Sequence, residues 1–435
     1  MPEAEPISGR APRERSDPAP LEVGANAADR RRNRALGAGV VDDPYPVYHA
    51  LRRSGPVHEG AISAAFGLEG PDTLVWRDRR QFSCYDWQTV EAVLRDTASY
   101  SSEWYEPTLE PVVGRSLIQL DDRAHRRARS LVMPAFSRRE MERWKARWVR
   151  PVVDEILDGL LARGAPVDLY RALCAVVPVS TIARSLGVPA ADVPRFHELA
   201  IASVAAVGDM AERLAAARQI SDALAALVAE RRARRGDDLL SWLCDVEFED
   251  PEDGSRHRLA DEEVLTFARL LLPAGAGTTY RGLGCLLLAL LETGQWELLR
   301  EDASRIDAAI EEALRWEQPL TAVGRIARRD CELAGVAIPA GSALHACLGA
   351  ANHDPARWSD PDRFDLTREP RPHASFGIGP HLCVGLHLAR MEMRCALEAL
   401  LERAPELRLD PSAPAPCVTG LLFRMPTALP VLLHG

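Results

Sequence analysis

The stretch "FGIGPHLCVG", residues 376–385, holds one of the nine cysteines of the chain in a glycine-rich loop. Gly377 and Gly379 have no side chain, so they allow a tight turn and a close approach to something flat and bulky. Beyond the loop, apolar residues recur with the period of a helix, at Leu386, Ala389, Met393, Ala396 and Leu400. Cys383 therefore lies just before a helix N-terminus, where the helix dipole and free N–H groups stabilise a thiolate.

A single thiolate presented in this way suits one axial position on haem iron, whereas zinc takes several protein ligands. The other cysteines are scattered and form no CxxC pair, which disfavours zinc ribbons, iron–sulfur clusters and a disulfide framework. The simpler interpretation of Cys383 is a buried cysteine in a tight turn, and the loop alone favours that interpretation. The remaining eight are Cys84, Cys174, Cys244, Cys285, Cys331, Cys347, Cys395 and Cys417.

The composition limits the classes of protein to which the chain can belong. Its 435 residues, of which 47% are hydrophobic, are enough to bury a large core. The net charge of −10 argues against broad nucleic-acid binding. The longest uninterrupted apolar run, "CLLLALL", is much shorter than a membrane span, and "MPEAEPISGR" lacks the apolar core of a signal peptide. We expect a soluble, cytoplasmic protein with no nucleic-acid or membrane partner.

The chain reads as a tail followed by one domain. Residues 1–38 mix Pro, Arg, Ala, Glu and Asp without periodicity, which predicts a disordered N-terminal tail. Helical patterns dominate residues 39–435, for example "REMERWKARWVRPVVDEILDGLLARG" and "ARQISDALAALVAERRARRG". Strand signals are few, namely "TLVW" and "CELAGVAIPAGSALHACL". The predicted fold class is mainly α with a small β region, in a single large domain.

The cysteine loop resembles the haem-ligand signature of the cytochrome P-450 family, Phe-Gly-x-Gly-x-His-x-Cys-x-Gly, with every fixed position filled. The following "LHLARME" is also similar, and the resemblance covers roughly residues 42–424. It implies the mainly helical fold of soluble bacterial members and haem b as the cofactor. It also implies that Cys383 is the axial ligand of the iron. The haem-binding residues that it implies in this loop are Phe376, Gly377, His381, Cys383 and Gly385.

Two further motifs occur in the order that the family shows. "EEALRW" supplies Glu312 and Arg315 on one helix face, a pair that by itself is usually a surface ion pair. With Arg363 from "DPDRF", the resemblance implies a buried structural triad that holds the cysteine loop.

A second set of residues is cationic. His125 and Arg129 lie four residues apart in "LDDRAHRRARSLVMPAF", on one face of a predicted helix. Arg325 comes from "VGRIARRDCEL". Taken separately, each residue is more typical of a surface. The resemblance implies that, together with His381, they bind the haem propionates, since carboxylates in an apolar interior need cationic partners.

The segment "DEEVLTFARLLLPAGAGTTYRGLGCLLLALLETG" predicts one long helix with Asp261 as a plausible N-cap. Its middle is unusual, because Pro273, Gly275 and Gly277 all weaken a helix. The resemblance implies that this distorted middle crosses the haem face. Ala274 and Gly275 would lie flat against the porphyrin.

Thr278 would then be the alcohol that takes part in oxygen activation. The chain departs from the family at Gly277, where most members have Asp or Glu. An acid at that position is a natural proton relay, so its absence puts the usual route in doubt. A water molecule could replace it, since glycine leaves room. Alternatively, the protein could use peroxide or perform chemistry without oxygen cleavage.

The function that the resemblance implies is a haem-thiolate monooxygenase that inserts one oxygen atom of O2 into an apolar small molecule. The catalytic residues would be Cys383, Thr278 and Gly277. No GxGxxG follows a strand, so NAD(P)H would act indirectly, through a separate ferredoxin and ferredoxin reductase. A peroxide-using or rearranging haem-thiolate enzyme and a non-catalytic haem sensor are the alternatives.

Two surfaces would serve this function. Segments 85–113 and 320–323 suggest an apolar substrate pocket. A basic face could dock an acidic ferredoxin, although a solvated helix face explains the same charges almost as well. Its residues would be Arg123, Arg126, Arg127, Arg138 and Arg139.

Overall fold

The computed structural model describes residues 41–70, 75–164, 166–203 and 210–434. The tail predicted for residues 1–38 lies outside this range, and so does the first half of "TLVW". The described part of that stretch, Val75 and Trp76, is not in a strand, which begins only at Gln81.

Helices dominate the described chain, as the sequence predicts. In chain order they are α1 Tyr45–Ser54, α2 Trp87–Arg95, α3 Glu106–Val113, α4 Asp122–Val132, α5 Arg138–Trp144, α6 Arg150–Arg163, α7 Val176–Ser185, α8 Val193–Ser203, α9 Met210–Ala233, α10 Leu239–Asp245, α11 Asp261–Glu292, α12 Trp296–Glu301, α13 Ile306–Trp316, α14 Leu348–Asn352 and α15 Leu386–Arg403.

The predicted helix over residues 139–164 is interrupted. A π-helical turn, Lys145–Val149, separates α5 from α6, and Pro151 follows it in the first turn of α6. Proline has no N–H to donate to the carbonyl four residues before it, so the regular hydrogen-bond ladder cannot pass through this point. The wider turn absorbs that break, and the chain continues as a helix.

The strands are short. They are β1 Val57–Glu59, β2 Gln81–Cys84, β3 Tyr100–Ser101, β4 Val167–Asp168, β5 Glu247–Glu249, β6 Arg256–Arg258, β7 Ala322–Ala327, β8 Cys331–Leu333, β9 Val336–Ile338, β10 Ala343–Cys347, β11 Arg408–Leu409, β12 Val418–Thr419, β13 Met425–Pro426 and β14 Pro430–Leu432.

The largest sheet has the order β1-β2-β10-β7-β3, and β2 and β10 are its parallel pair. Strands β8, β9 and β10 confirm the prediction made from "CELAGVAIPAGSALHACL". On β7, Arg325 pairs in register with Leu344 of β10. The sheet therefore fixes one of the predicted haem-binding cations through its backbone.

Helix α11 forms the centre of the core. It is long and apolar enough to cross a membrane by length and composition, yet 67% of its most apolar window is buried inside the protein. Its apolar surface thus packs against neighbouring helices, and each fully buried leucine contributes about 1.5–3 kcal/mol. The prediction that Asp261 is the N-cap is wrong, because Asp261 is the first helical residue. Ala260 occupies the cap position, and its N–H donates to Oε2 of Glu263 at 2.9 Å.

A buried ion pair fixes the hairpin of β12 and β13 to the start of the domain. Arg424 donates to both carboxylate oxygens of Glu317, at 2.8 and 3.0 Å. It also donates to the carbonyl of Gly420 at 2.7 Å and to that of Asp42 at 2.7 Å. Because every charge in this group has partners, the hairpin tip has a defined position beside α11.

Glu392 on α15 is a buried acid whose two carboxylate oxygens have no hydrogen-bond partner within the described chain. Burial raises the pKa of Glu392 to about 8, and the nearby hydroxyl of Thr181 opposes this only in part. In the unfolded chain a glutamate titrates at about 4.3. Between these values the folded protein binds one more proton than the unfolded chain, so this residue makes stability fall as pH rises.

Replacing this acid should remove that pH dependence. We expect Glu392→Gln to be more stable than the wild type at pH 8, with the difference shrinking towards pH 4. Each pH unit within the window is worth about 1.4 kcal/mol at most. The measurement is the guanidinium midpoint at several pH values. Glu402→Gln, on the same helix but at an exposed ion pair, is the control and should stay parallel to the wild type. Parallel curves for Glu392→Gln would contradict the buried neutral acid.

Candidate active site

The cysteine loop is closed by its own backbone. The N–H of Cys383 donates to the carbonyl of Phe376 at 2.8 Å, and α15 begins three residues later, which confirms the predicted helix. Gly379 has a φ of +78°, and a Cβ there would lie 2.8 Å from the carbonyl oxygen of Leu94. Only glycine fits that position. The close approach at Gly379 is therefore to the backbone of α2.

Cys383 is partly exposed as a residue, whereas most other cysteines of the chain are buried. Burial raises the pKa of its thiol. A hydrogen bond from the N–H of Gly385 and the positive charges of Arg129 and Arg390 act in the opposite direction. The sulfur therefore lies beside groups that favour its anionic form.

A buried ion pair on α13 lies behind this loop. Nε and Nη2 of Arg315 donate to the two carboxylate oxygens of Glu312, both at 2.8 Å, and both side chains are almost fully buried. Arg315 also donates to the carbonyls of Asn352 at 3.1 Å and Pro361 at 2.6 Å. The pair thus fixes two backbone segments that come later in the chain.

Asn352 transmits this constraint to the loop. Its Oδ1 accepts from the N–H of Ala374 at 2.7 Å, and its Nδ2 donates to the hydroxyl of Ser375 at 2.8 Å. That hydroxyl in turn donates to the carbonyl of Leu314 on α13 at 2.6 Å. The two residues directly before Phe376 are therefore held by α13 and Asn352. This geometry fits the structural role that the sequence suggests for Glu312 and Arg315.

The prediction that Arg363 completes the triad is wrong. Its side chain is 67% exposed and lies 3.9 Å from Asp365, and only its carbonyl oxygen accepts from Arg315, at 3.1 Å. Arg368 occupies the third position, because its Nε donates to Oε1 of Glu312 at 3.0 Å. Nη2 of Arg368 also donates to the carbonyls of Asp360 at 3.0 Å and Arg363 at 2.9 Å, which holds its guanidinium in this position. The sequence motif alone does not distinguish Arg363 from Arg368.

A second carboxylate links the two ends of the loop. Glu311 accepts from Nε and Nη2 of Arg390 on α15, at 2.6 and 2.7 Å, and lies 3.4 Å from Nε2 of His373. The guanidinium of Arg390 lies over the ring of Phe376, 4.5 Å from its centroid. Sequence reasoning missed Glu311, although it is the first acid of "EEALRW" and sits beside Glu312.

The predicted cations from three separate elements meet on one side of the loop. His125 of α4 stacks on His381, with 4.0 Å between ring centroids. His125 is 2% exposed, and Arg325 of β7 is 4% exposed. Burial first, and then the charges of His381 and Arg129, lower the pKa of His125 to about 4. Because positive groups lie close together here, the charged form of His125 is disfavoured.

Asp121 orients His381 and was not predicted. Its carboxylate accepts from the hydroxyl of Ser101 at 2.6 Å and from Arg328 at 2.8 Å. It also lies 3.5 Å from Nε2 of His381, which is 3.0 Å from the hydroxyl of Ser102. Despite burial, these partners hold the pKa of Asp121 below its usual range. The signal available in the sequence was its place at the start of the helix that carries His125.

Several hydrogen-bond donors of the predicted propionate-binding residues have no partner within the described chain. Nε2 of His125 and Nε of Arg325 are buried without a hydrogen-bond partner, and Arg129 makes no ion pair with any described residue. Burial also lowers the pKa of Arg129 and of Arg325. Buried donors of this kind require an anion that the described chain does not supply. The two propionates of haem b are carboxylates that fit this requirement.

The middle of α11 is accessible although the helix is otherwise buried. Ala274 is exposed and Thr278, one turn later, is partly exposed, while the residues before and after this stretch are buried. A core helix that is uncovered at its centre fits a flat cofactor lying against it. At Gly275 a Cβ would lie 3.0 Å from Ile182 of α7, so the missing side chain there allows packing against α7.

Side chains donate to three carbonyls of this stretch. The hydroxyl of Thr278 donates to Ala274 and that of Thr279 to Gly275, both at 3.0 Å. Nη1 of Arg281 donates to the carbonyl of Gly277 at 2.5 Å. The two threonine bonds run back to the carbonyl four residues earlier, a pattern that tends to bend a helix locally.

Comparison with known proteins agrees with this geometry. A family model described as cytochrome P-450 matches residues 300–417. The chain is 36% identical over 403 residues to the cytochrome P-450 monooxygenase PikC of Streptomyces venezuelae, covering 89% of this chain and 91% of that protein. It is 36% identical over 373 residues to the Vitamin D(3) 25-hydroxylase of Pseudonocardia autotrophica, covering 84% and 88%.

The solved structures show the same similarity. The bacillaene polyketide synthase cytochrome P-450 PksS of Bacillus subtilis 168 superimposes with a TM-score of 0.80 at 27% identity. The superposition covers 92% of this chain and 99% of that one.

The corrected triad predicts different effects for two neighbouring arginines. Arg368→Ala removes a buried partner of Glu312 and should destabilise the protein by about 2 kcal/mol. Arg363→Ala removes only an exposed side chain and should change stability by less than about 0.5 kcal/mol. Chemical unfolding and the ratio of haem to protein absorbance measure both variants. Equal losses, or a larger loss for Arg363→Ala, would restore Arg363 to the triad.

Proposed function

Because the chain belongs to the cytochrome P-450 family, whose relatives here are haem-thiolate monooxygenases, we propose the same class of reaction for it. It would insert one oxygen atom of O2 into a small-molecule substrate. The electrons would come from a separate ferredoxin and reductase. The observation that carries the proposal is the sulfur of Cys383, in a loop fixed from both ends and close to His125 and Arg325, whose buried donors lack a hydrogen-bond partner. Haem b supplies the redox chemistry of oxygen transfer when it is bound.

The residues of this chain would hold that cofactor from several directions. Cys383 would be the axial ligand, favoured as a thiolate by the N–H of Gly385. His125, Arg129, Arg325 and His381 would bind the propionates. Phe376 and Gly377 would shape the loop. Ala274 and Gly275 would lie along the other face, where α11 is uncovered.

Proton delivery would involve Thr278. Its hydroxyl donates to Ala274, which leaves its lone pairs free to accept a hydrogen bond from the accessible space. Gly277 provides no acid to recharge that hydroxyl, so water would have to supply the proton. Gly277 is also the feature that favours the second candidate, a peroxide-using or rearranging haem-thiolate enzyme, because such chemistry does not need this relay.

The ferredoxin would dock near the cysteine loop. Three of the arginines suggested for this role are paired: Arg123 with Asp253 at 2.5 Å, Arg126 with Glu252, and Arg127 with Glu263 at 3.1 Å. Internal carboxylates therefore offset much of their charge.

Arg138 and Arg139 are better placed for docking. Both are exposed and make no ion pair with a described residue. Arg138 is close enough to lower the pKa of His387, which lies just after the loop, although burial lowers it more. Leu382, beside Cys383, is 38% exposed. An apolar contact with a basic rim fits an acidic redox protein.

We propose that the protein acts in the cytoplasm together with its redox partners, without a nucleic-acid or membrane partner.

The test of this function is turnover of the holoenzyme with ferredoxin, ferredoxin reductase and NAD(P)H. Thr278→Ala should continue to consume NAD(P)H but form about a hundredfold to ten-thousandfold less product, the range typical of a positioned proton-transfer group. The diverted electrons should appear as peroxide or water. Thr279→Ala is the matched control, because its hydroxyl is buried and donates only to Gly275.

The two candidates give opposite results in this assay. Product formation that needs NAD(P)H and falls in Thr278→Ala supports the monooxygenase. Full coupling in Thr278→Ala, together with product formed from hydrogen peroxide alone, would assign the protein to the peroxide-using class.

A further inference from the structure

Arg281 is a buried cation beside the unusual glycine of α11. It lies one helical turn after Gly277, is 2% exposed, and donates from Nη1 to the carbonyl of Gly277 at 2.5 Å. Its guanidinium carbon is 4.6 Å from the ring centroid of Tyr280 and 4.7 Å from that of Phe423. Two aromatic faces and one carbonyl thus form its immediate surroundings.

This arginine has no anionic partner. It makes no ion pair with any residue that the structure describes, and its Nε is buried without a hydrogen bond. Cation–π contacts offset part of the cost of burying the charge. A buried charge without an opposite charge remains unfavourable, so a guanidinium in this state is suited to an anion from outside the chain.

Other buried arginines of the fold show what complete pairing looks like. Arg315 is held by both carboxylate oxygens of Glu312, and Arg424 by both oxygens of Glu317. Arg325 lies in the cluster proposed to bind the propionates, beside His125 and His381. The anion that Arg281 lacks is therefore accounted for neither by the fold nor by the proposed cofactor contacts.

The guanidinium borders the predicted substrate pocket. It contacts Gly277, the residue before Thr278, and the ring of Phe423 at the tip of the β12–β13 hairpin. Phe423 forms a backbone bridge with Leu320, the first residue of the pocket segment predicted from the sequence, and both residues are partly exposed. A ligand between Leu320 and Thr278 would therefore meet this charge.

Gly277 explains why the charge is free. A Cβ at that position would lie 3.3 Å from Nη1 of Arg281. An aspartate or glutamate there, as in most of the family, would reach the guanidinium four residues later on the same helix and neutralise it. Glycine leaves the guanidinium unpaired, and among the described residues Nη1 of Arg281 is the one side-chain atom within 4 Å of the position that a Cβ would take.

We propose that Arg281 binds the carboxylate of an acidic substrate. A guanidinium holds a carboxylate through two parallel charge-assisted hydrogen bonds, which gives both affinity and orientation. The apolar part of the substrate would then extend along Phe423 and Leu320. This inference rests on the proposed function and changes the expected substrate class from purely apolar to an apolar acid.

The first experiment compares matched ligands on the holoenzyme. The probes are straight-chain carboxylates from hexanoate to hexadecanoate and 2-naphthoate, each beside its methyl ester. We expect at least one acid to bind tenfold or more tightly than its ester, by Soret shift and by calorimetry. Arg281→Gln should abolish that ratio and Arg281→Lys should keep part of it. Ratios near one across the panel, or a ratio that persists in Arg281→Gln, would overturn the proposal.

The second experiment needs no ligand. Gly277→Asp should stabilise the protein relative to Gly277→Asn, because aspartate supplies the missing anion, and this advantage should vanish in the Arg281→Gln background. An equal effect of Asp and Asn, or an advantage that survives without Arg281, would contradict an unpaired cation. Failure of the proposed monooxygenase function would appear separately, as loss of NAD(P)H-dependent product with the acid-to-ester ratio intact in calorimetry.

Discussion

The bidentate contact between Glu312 and Arg315 is the interaction on which the candidate site depends. Both groups are buried, so removing either one would leave an uncompensated charge in the core. The spare donors of Arg315 bind the carbonyls of Asn352 and Pro361. Asn352 then fixes the two residues before Phe376. A sulfur atom far from α13 in sequence is thus positioned by a charge pair that it never contacts.

Charge balance divides the buried arginines of this protein into three kinds. Arg315 and Arg424 are neutralised by glutamates of the fold and serve structure. Arg325 is buried with a free donor beside His125 and fits the carboxylates of a cofactor. Arg281 is equally buried but has no anionic partner among the described residues, and it lies by the predicted substrate pocket and one turn after a glycine. The same physical rule, that a buried charge needs an opposite charge, separates the three roles.

Much of this arrangement could be predicted from the sequence. The helical periods located α9, α11 and α15, and the cysteine motif placed Cys383 directly before a helix. Predictions failed where tertiary geometry decides between neighbouring residues. Arg363 and Arg368 are both arginines near the same turn, and only the path of the backbone after Asp360 shows which one points inward. No periodic pattern carries that information.

The glycines show the same limit. Their lack of a side chain predicts close approach, but not what approaches. At Gly379 the neighbour is the backbone of α2, and at Gly275 it is Ile182 of α7. The pairing of Arg126 with Glu252 likewise joins residues far apart in sequence. Asp121 and Glu311 escaped notice because acidic residues are common, and only contacts reveal which of them orient a histidine or link the ends of a loop.

The central claim is that Cys383 is the thiolate ligand of the haem. The most direct measurement is the Soret band of the reduced carbon monoxide complex in Cys383→Ser, compared with Cys331→Ser, which replaces another partly exposed cysteine. We expect Cys383→Ser to lose the red-shifted band characteristic of thiolate ligation and Cys331→Ser to retain it. A red-shifted band that persists in Cys383→Ser would contradict ligation by Cys383, because another group would then be bound to the iron.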